Sequence, residues 1–263
     1  MAHVIAFANQ KGGVTKTTST ANLGVAFAEQ GHKVLLIDAD PQANLSEAFG
    51  VDEQAIGLRL EDALALEDLG ARLPGGDAAP AVLQCLAGGV DLLPCTDQLA
   101  TVAARLATSA NTETRMRDLV ALYRPLYDYV LIDTPPGIGP LSSLALIAAD
   151  YILIPARPGD HDVGGAGKVY DLVESGALSP FNEHLRILGV LITQQDNRWR
   201  LRQESRTAIQ EAEMNALPVE IPFAVRVGSA PRHGAPTIVL EPDGRVGSAY
   251  RRLAAHIDEE VGK

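Results

Sequence analysis

Cysteine is nearly missing from this chain: Cys85 and Cys95 are the only two in 263 residues. They form neither a CxxC pair nor a disulfide framework. That excludes a disulfide-stapled secreted domain and a one-chain zinc or iron–sulfur centre, and a reducing cytoplasm fits. No apolar run reaches about 18 residues, so no transmembrane helix is predicted. Met1–Phe7 has no charged region ahead of its apolar stretch, so it reads as a first strand and not a secretory signal. Aromatic residues are 5%, with one tryptophan, Trp199. No fixed-period repeat occurs. Basic residues are outnumbered 22 to 33, a net charge of −11. This excludes a surface coated in DNA-binding charge but leaves room for a local basic patch. What remains is ordinary for a folded protein: 46% hydrophobic and 21% charged residues. The length suits one large α/β domain or two small ones, with a core that needs no staples.

Short β-branched runs alternate with longer Ala/Leu-rich stretches. Strands are predicted at Val4–Ala8, Lys33–Asp38, Val90–Pro94, Tyr129–Asp133, Tyr151–Pro155, Ile187–Thr193 and Pro218–Pro222. Runs such as Val34-Leu35-Leu36-Ile37 and Val130-Leu131-Ile132 are apolar at both parities, the pattern of parallel strands covered on both faces. Helices are predicted at Lys16–Gln30, Asp97–Leu106, Thr112–Tyr123, Ser142–Ala148, Gly164–Ser175, Leu201–Asn215 and Gly247–Val261. The predicted fold is α/β, a doubly wound and mainly parallel sheet with helices on both faces, whose ligands bind at the carboxyl ends of strands. Residues 51–80 read as an acidic, solvated surface helix followed by a loop. Gly164-Gly165-Ala166-Gly167-Lys168 lacks a preceding nucleotide-loop context and reads as a flexible helix start. The histidines show no metal-ligand spacing.

The strongest local signal is Lys11-Gly12-Gly13-Val14-Thr15-Lys16-Thr17-Thr18, between an apolar strand and an amphipathic helix. In that context backbone N–H groups at a helix N-terminus cradle phosphate. Gly12 and Gly13 admit close approach of the backbone. Lys16 would reach the β/γ-phosphates, and Thr17 would place its hydroxyl on Mg²⁺. The strict GxxxxGK[ST] pattern fails, because Gln10 and Thr15 stand where glycines belong.

With these motifs the chain resembles the ParA/MinD family of P-loop ATPases with a deviant Walker A motif, and most of all its ParA branch. The family's K-G-G-x-x-K-[ST] matches Lys11 through Thr17. Val34–Gln42 resembles its second motif, Tyr129–Gly137 its Walker B strand and switch II, and Ile221–Gly234 the C-terminal segment of the ParA branch. The resemblance implies a single P-loop ATPase domain over 1–263, without an N-terminal helix-turn-helix extension. It implies that Lys11, Gly12, Gly13, Val14, Thr15, Lys16, Thr17 and Thr18 bind nucleotide. Lys11 would be the signature lysine that reaches a partner subunit's phosphates in a sandwich dimer. Thr15 departs from the family's usual glycine. If that position needs positive φ, a β-branched residue is strained there, and slow hydrolysis is predicted.

Asp38 and Asp40 lie two apart at a strand end and should face the same side, toward the phosphates. By resemblance Asp40 orients or deprotonates the attacking water, with Lys11 and Lys16 as its catalytic companions. Asp38 would pair with Lys11 or with the metal's water shell. Asp133 should hold Mg²⁺ through water, as a Walker B aspartate does. No Asn-Lys-x-Asp guanine motif occurs, so ATP is preferred over GTP. The resemblance puts the adenine pocket near Thr193 and Pro222.

The segment Asn197–Arg206 is basic. Arg198, Arg202 and Arg206 recur every four residues and share one helix face. The resemblance places Arg198 and Arg226 among the residues that hold nonspecific double-stranded DNA, and Arg202 and Arg206 would extend the same patch. The function so implied is a partition ATPase, cytoplasmic and nucleoid-associated. It would form an ATP-dependent homodimer, bind DNA and hydrolyse ATP when a ParB-like activator stimulates it, segregating plasmid or chromosome copies. A positioning ATPase for a protein cargo would use the same chemistry. A MinD-like membrane-cycling ATPase needs a basic, apolar C-terminal amphipathic helix, and Ala255–Lys263 is acidic and without aromatics. An electron donor like the nitrogenase iron protein needs cysteines beside the nucleotide switch, where this chain has none.

Overall fold

The computed structural model describes residues 1–52, 57–66, 82–83, 86–158, 160–194, 206–224 and 233–262. Strands β1 (His3–Phe7), β2 (Val34–Asp38), β3 (Asp91–Leu93), β4 (Tyr129–Asp133), β5 (Tyr151–Ala156) and β6 (Arg186–Ile192) form one sheet. Their spatial order is β3-β2-β4-β1-β5-β6, and every pairing is parallel. Successive residues point to opposite faces, and the sequence is apolar at both. Val4, Ala6, Leu35, Ile37, Val130 and Ile132 enter one core cluster, against helices α3 (Leu60–Ala65), α4 (Gln98–Thr108), α5 (Arg115–Tyr123), α6 (Pro140–Ala148) and α7 (Asp160–Glu174). Ile5, Phe7, Leu36 and Leu131 enter the other, against α1 (Lys16–Glu29), α2 (Asn44–Ala48) and the final helix Arg245–Val261. Helices therefore cover both faces, as the doubly wound reading requires.

Parallel register sets the strand ends level. Phe7 and Asp38 each pair with Asp133. The loop leaving β1 thus begins beside Asp133 of the adjacent β4, with Asp38 level with it one strand further on. This is the carboxyl edge where open α/β sheets bind ligands.

Four expectations need correction. Pro218–Pro222 is not a strand. Among the described residues, the segment follows the edge of β6 through an isolated bridge at Ala216 and single hydrogen bonds, such as Ile221 N to Ile192 O at 2.8 Å. Pro218 and Pro222 have no N–H to donate, so the ladder cannot propagate. The acidic stretch 51–80 contributes α3, which is no solvated helix: Leu60, Ala63 and Leu64 are fully buried and Glu61 is 2% exposed. Glu61 accepts the Thr96 hydroxyl and amide, which ties α3 to the loop after β3. Burial pushes its carboxyl up, and the Thr96 hydroxyl opposes that shift. Residues 164–168 are interior to α7 and do not start it. A Cβ on Gly165 would stand 2.5 Å from Asn9 Oδ1 and 2.9 Å from Lys11 Cγ, so this glycine lets α7 close on the phosphate loop. Last, α2 was not foreseen.

The final helix buries Val246, Ala249, Tyr250, Leu253, Ala254 and Ile257. Its apolar face joins the core cluster that includes α1 and is not presented to a membrane. No described helix is long and apolar enough to cross one.

Candidate functional site

The chain leaves β1 at Phe7 and enters α1 at Lys16 through a loop pinned from three sides. Asn9 Nδ2 donates to Pro155 O at 2.8 Å, Thr134 Oγ1 to Phe7 O at 2.7 Å, and Thr193 Oγ1 to Val14 O at 3.3 Å. Inside the loop Gly13 has φ 74° and Thr15 φ 68°. No side chain caps α1, and its first turn carries no acidic residue. The first intrahelical bond runs from Ser19 N to Thr15 O at 2.8 Å. The amides ahead of it face the loop with the positive end of the helix dipole, an anion cradle built from backbone.

Thr15 occupies the left-handed region that the family's glycine would enter freely. Its hydroxyl donates to Val14 O at 2.6 Å, a local bond that partly offsets the strain. A β-branched residue there costs roughly 1–3 kcal/mol. Thr15→Gly is expected to raise the melting temperature by about 2–4 °C, net of the glycine's larger unfolded-state entropy. It is also expected to raise the steady-state ATPase rate. Thermal unfolding and a phosphate-release assay check both. No change in either would mean that Thr15 sits there without strain.

Lys16 is 6% exposed, and its ammonium donates to Lys11 O at 3.2 Å. Burial pushes its pKa down, while the charges of Asp133 and Asp40 hold it up. Asp133 is fully buried, with both carboxylate oxygens lacking a hydrogen-bond partner. Its pKa rises well above the usual carboxylate range. Burial is the first cause and the Asp38 charge next, with the Thr17 hydroxyl and the Lys16 ammonium opposing. Two carboxylates, Asp133 and Asp40, thus share one lysine, with Asp38 adding its charge beside Asp133. An orphaned carboxylate beside a threonine hydroxyl fits a hydrated divalent cation, which supplies the missing charge and donors.

Asp38 and Asp40 do not both face the phosphate loop. The chain turns after β2, with Asp40 N donating to Asp38 Oδ1 at 3.3 Å. Asp38 Oδ2 accepts both the amide and the hydroxyl of Ser46, each at 2.8 Å, which anchors α2. Burial lifts the Asp38 pKa to about 6, against those hydrogen bonds. Only Asp40 lines the cavity, its Oδ1 accepting Gln42 N at 3.0 Å. Cys95 donates its thiol to Asp40 O at 3.0 Å and so steadies the same turn.

The cavity beside the loop measures about 640 Å³, within the usual range for a small-molecule site. Gly12, Gly13, Thr15, Lys16, Thr17 and Thr18 line one part of it, while Val14 is buried behind the loop. Thr193 and Pro222 do not line it. Thr193 turns its hydroxyl back to the Val14 and Ala156 carbonyls, and Pro222 lines a separate hollow. Their chain neighbours Gln194 and Phe223 line the cavity instead, with Phe223 51% exposed. Thr237 and Arg157 were missed. Each lines the cavity and buries a polar atom without a partner. No sequence motif marks either, because both come from segments remote from the loop.

Of the predicted DNA-binding arginines, Arg198, Arg202 and Arg226 lie outside the described residues. Arg206 is described, and its Nε pairs with Glu220 at 2.6 Å. The expected free charge on that helix face is thus partly neutralised by a residue from the segment beside β6.

A family model described as an AAA domain matches residues 2–187. Sporulation initiation inhibitor protein Soj of Bacillus subtilis (strain 168) is 31% identical over 261 residues, covering 98% of each chain. Chromosome-partitioning ATPase Soj of Thermus thermophilus is 35% identical over 264 residues, covering 98% of this chain and 96% of that one. Among solved structures, cobyrinic acid a,c-diamide synthase from Mycobacterium smegmatis, with bound ATP analog and magnesium, superposes with TM-score 0.81. It has 28% identity and covers 100% of this chain and 98% of that one. The septum site-determining protein MinD from Pyrococcus horikoshii, complexed with Mg-ADP, gives TM-score 0.77 and 25% identity, with 100% and 98% covered.

Proposed function

The chain belongs to the ParA/MinD family of P-loop ATPases, and from that premise we propose that it is a ParA-type partition ATPase acting through an ATP-dependent homodimer. One observation carries the reading. The uncapped N-terminus of α1 and the buried Lys16 face a carboxylate, Asp133, whose oxygens have no hydrogen-bond partner among the described residues. A phosphate chain and a hydrated Mg²⁺ satisfy both at once.

The loop amides from Gly13 to Thr18 bind phosphate oxygens. Lys16 neutralises charge on the β/γ-phosphates, and Thr17 and Asp133 would hold the cation, Asp133 through water. When bound, Mg²⁺ supplies charge neutralisation between the phosphates. Asp40 lines the cavity and orients the attacking water, taking up its proton as water bonds to the γ-phosphorus and the bond from that phosphorus to ADP breaks. This chemistry is positioning and electrostatics, with little covalent work for the protein. Lys11 completes the charge from the partner subunit. Its backbone carbonyl already positions Lys16 within its own subunit. Arg198, Arg202 and Arg226 hold nonspecific double-stranded DNA in the dimer, with a smaller share for Arg206 because Glu220 competes for it. A ParB-like protein stimulates hydrolysis and release, which moves plasmid or chromosome copies apart.

The test is light scattering with a non-hydrolysable ATP analogue, followed by anisotropy titration of duplex DNA at several salt concentrations. An ATP-dependent dimer that Lys11→Ala abolishes is expected. DNA affinity should appear only in the dimer and fall with salt by a slope of about 0.9 per phosphate contact. Reversing Arg198 and Arg226 to Glu should remove DNA binding and leave the dimer intact. A constant monomer would refute the sandwich. A dimer that ignores DNA would move the assignment to a positioning ATPase on another track.

A further inference from the structure

Arg157 follows β5 and has no role in the chemistry above. Its side chain reaches the phosphate loop. A methyl group built on Gly13 would stand 3.7 Å from Arg157 Nη2 and 4.0 Å from its Cζ, so the guanidinium lies against that glycine. Arg157 also lines the cavity that Lys16 and Asp40 line. Its Nε is buried and has no hydrogen-bond partner. No hydrogen bond or ion pair holds the rest of the group among the described residues. Among the described residues, the one carboxylate lining the same cavity is Asp40, and its Oδ1 accepts the Gln42 amide.

A buried, unpaired guanidinium donor is costly unless a ligand supplies acceptors. Glycine at 13 leaves no side chain between the arginine and the space in front of the loop. The planar fork of arginine matches phosphate, as it does carboxylate, in a bidentate geometry. We propose that Arg157 is a phosphate-contacting residue that acts within its own subunit, with its guanidinium on an oxygen of the nucleotide's phosphate chain. It would add a second side-chain cation to Lys16 before any partner lysine arrives. The proposal rests on the ATPase reading and deepens it. It assigns to the single subunit a phosphate contact that neither the loop motif nor the second aspartate motif contains.

The experiment measures Mg·ATP affinity by calorimetry, and inorganic pyrophosphate as a competitor, in the full chain and in Arg157→Gln and Arg157→Lys. Losing one charge-assisted contact should weaken Mg·ATP binding about 10- to 100-fold in Arg157→Gln. The pyrophosphate inhibition constant should rise by the same factor, because pyrophosphate has phosphates and no base. Arg157→Lys should recover part of both. Without nucleotide, Arg157→Gln should unfold no earlier than wild type, since an unpaired buried donor has been removed. ATP affinity within twofold of wild type in Arg157→Gln would overturn the proposal. So would a loss for ATP that pyrophosphate does not share, which would place Arg157 on the base or ribose. Wild-type protein that binds neither Mg·ATP nor pyrophosphate would overturn the ATPase reading itself, a result visible before any variant is made.

Discussion

Lys16→Ala is expected to abolish Mg·ATP binding, with a loss of at least about a hundredfold in affinity. The ammonium is buried, donates to Lys11 O at 3.2 Å and is the near counter-charge of Asp133 and Asp40. Removing it subtracts a charge-assisted contact to phosphate, about 1.5–3 kcal/mol. It also leaves two buried carboxylates without their cation, which repels the incoming polyphosphate. Calorimetry is the measurement. Thermal unfolding of the same samples separates lost binding from lost folding. A variant that folds and binds ATP as tightly as wild type would take the phosphate site away from this loop.

The second large effect is at Asp40. Asp40→Ala should slow hydrolysis by about 10²- to 10⁴-fold, the usual span for removing a positioned general base. Mg·ATP affinity should change little, because the loop amides, Lys16 and Asp133 are untouched. ATP-bound dimer should accumulate. The geometry sharpens this prediction relative to the neighbouring aspartate. Asp38 is committed to the amide and hydroxyl of Ser46 and lies behind the cavity wall, whereas Asp40 faces the cavity. Asp38→Asn should therefore act on the anchoring of α2 more than on the chemical step. Single-turnover hydrolysis beside equilibrium binding distinguishes the two. Normal hydrolysis in Asp40→Ala would assign the water to another group.

What the sequence determined by itself was whatever depends on neighbours in the chain. Apolar residues at both parities announced strands covered on both faces, and six of the seven predicted strands stand within a residue of their place at either end. The seventh failed for a local reason, two prolines in an edge segment. The Lys11–Thr17 motif located the phosphate loop, because backbone amides at a helix start need only the right local turn. Thr15 was legible as a conformational conflict before its φ of 68° was known.

The tertiary structure decided what depends on segments far apart in sequence. Strand order placed Asp38 and Asp133 level with the end of β1, and side-chain hydrogen bonding then turned Asp38 toward Ser46 and left Asp40 in the cavity. The same long-range packing brought Glu61 inside against Thr96, drew Arg206 to Glu220, and set Gly165 against Asn9. It also put Arg157 beside Gly13, and no spacing rule could signal that proximity. Local periodicity and turn chemistry act over a few residues. Partners chosen by burial, and charges left without partners, exist only once the sheet has closed.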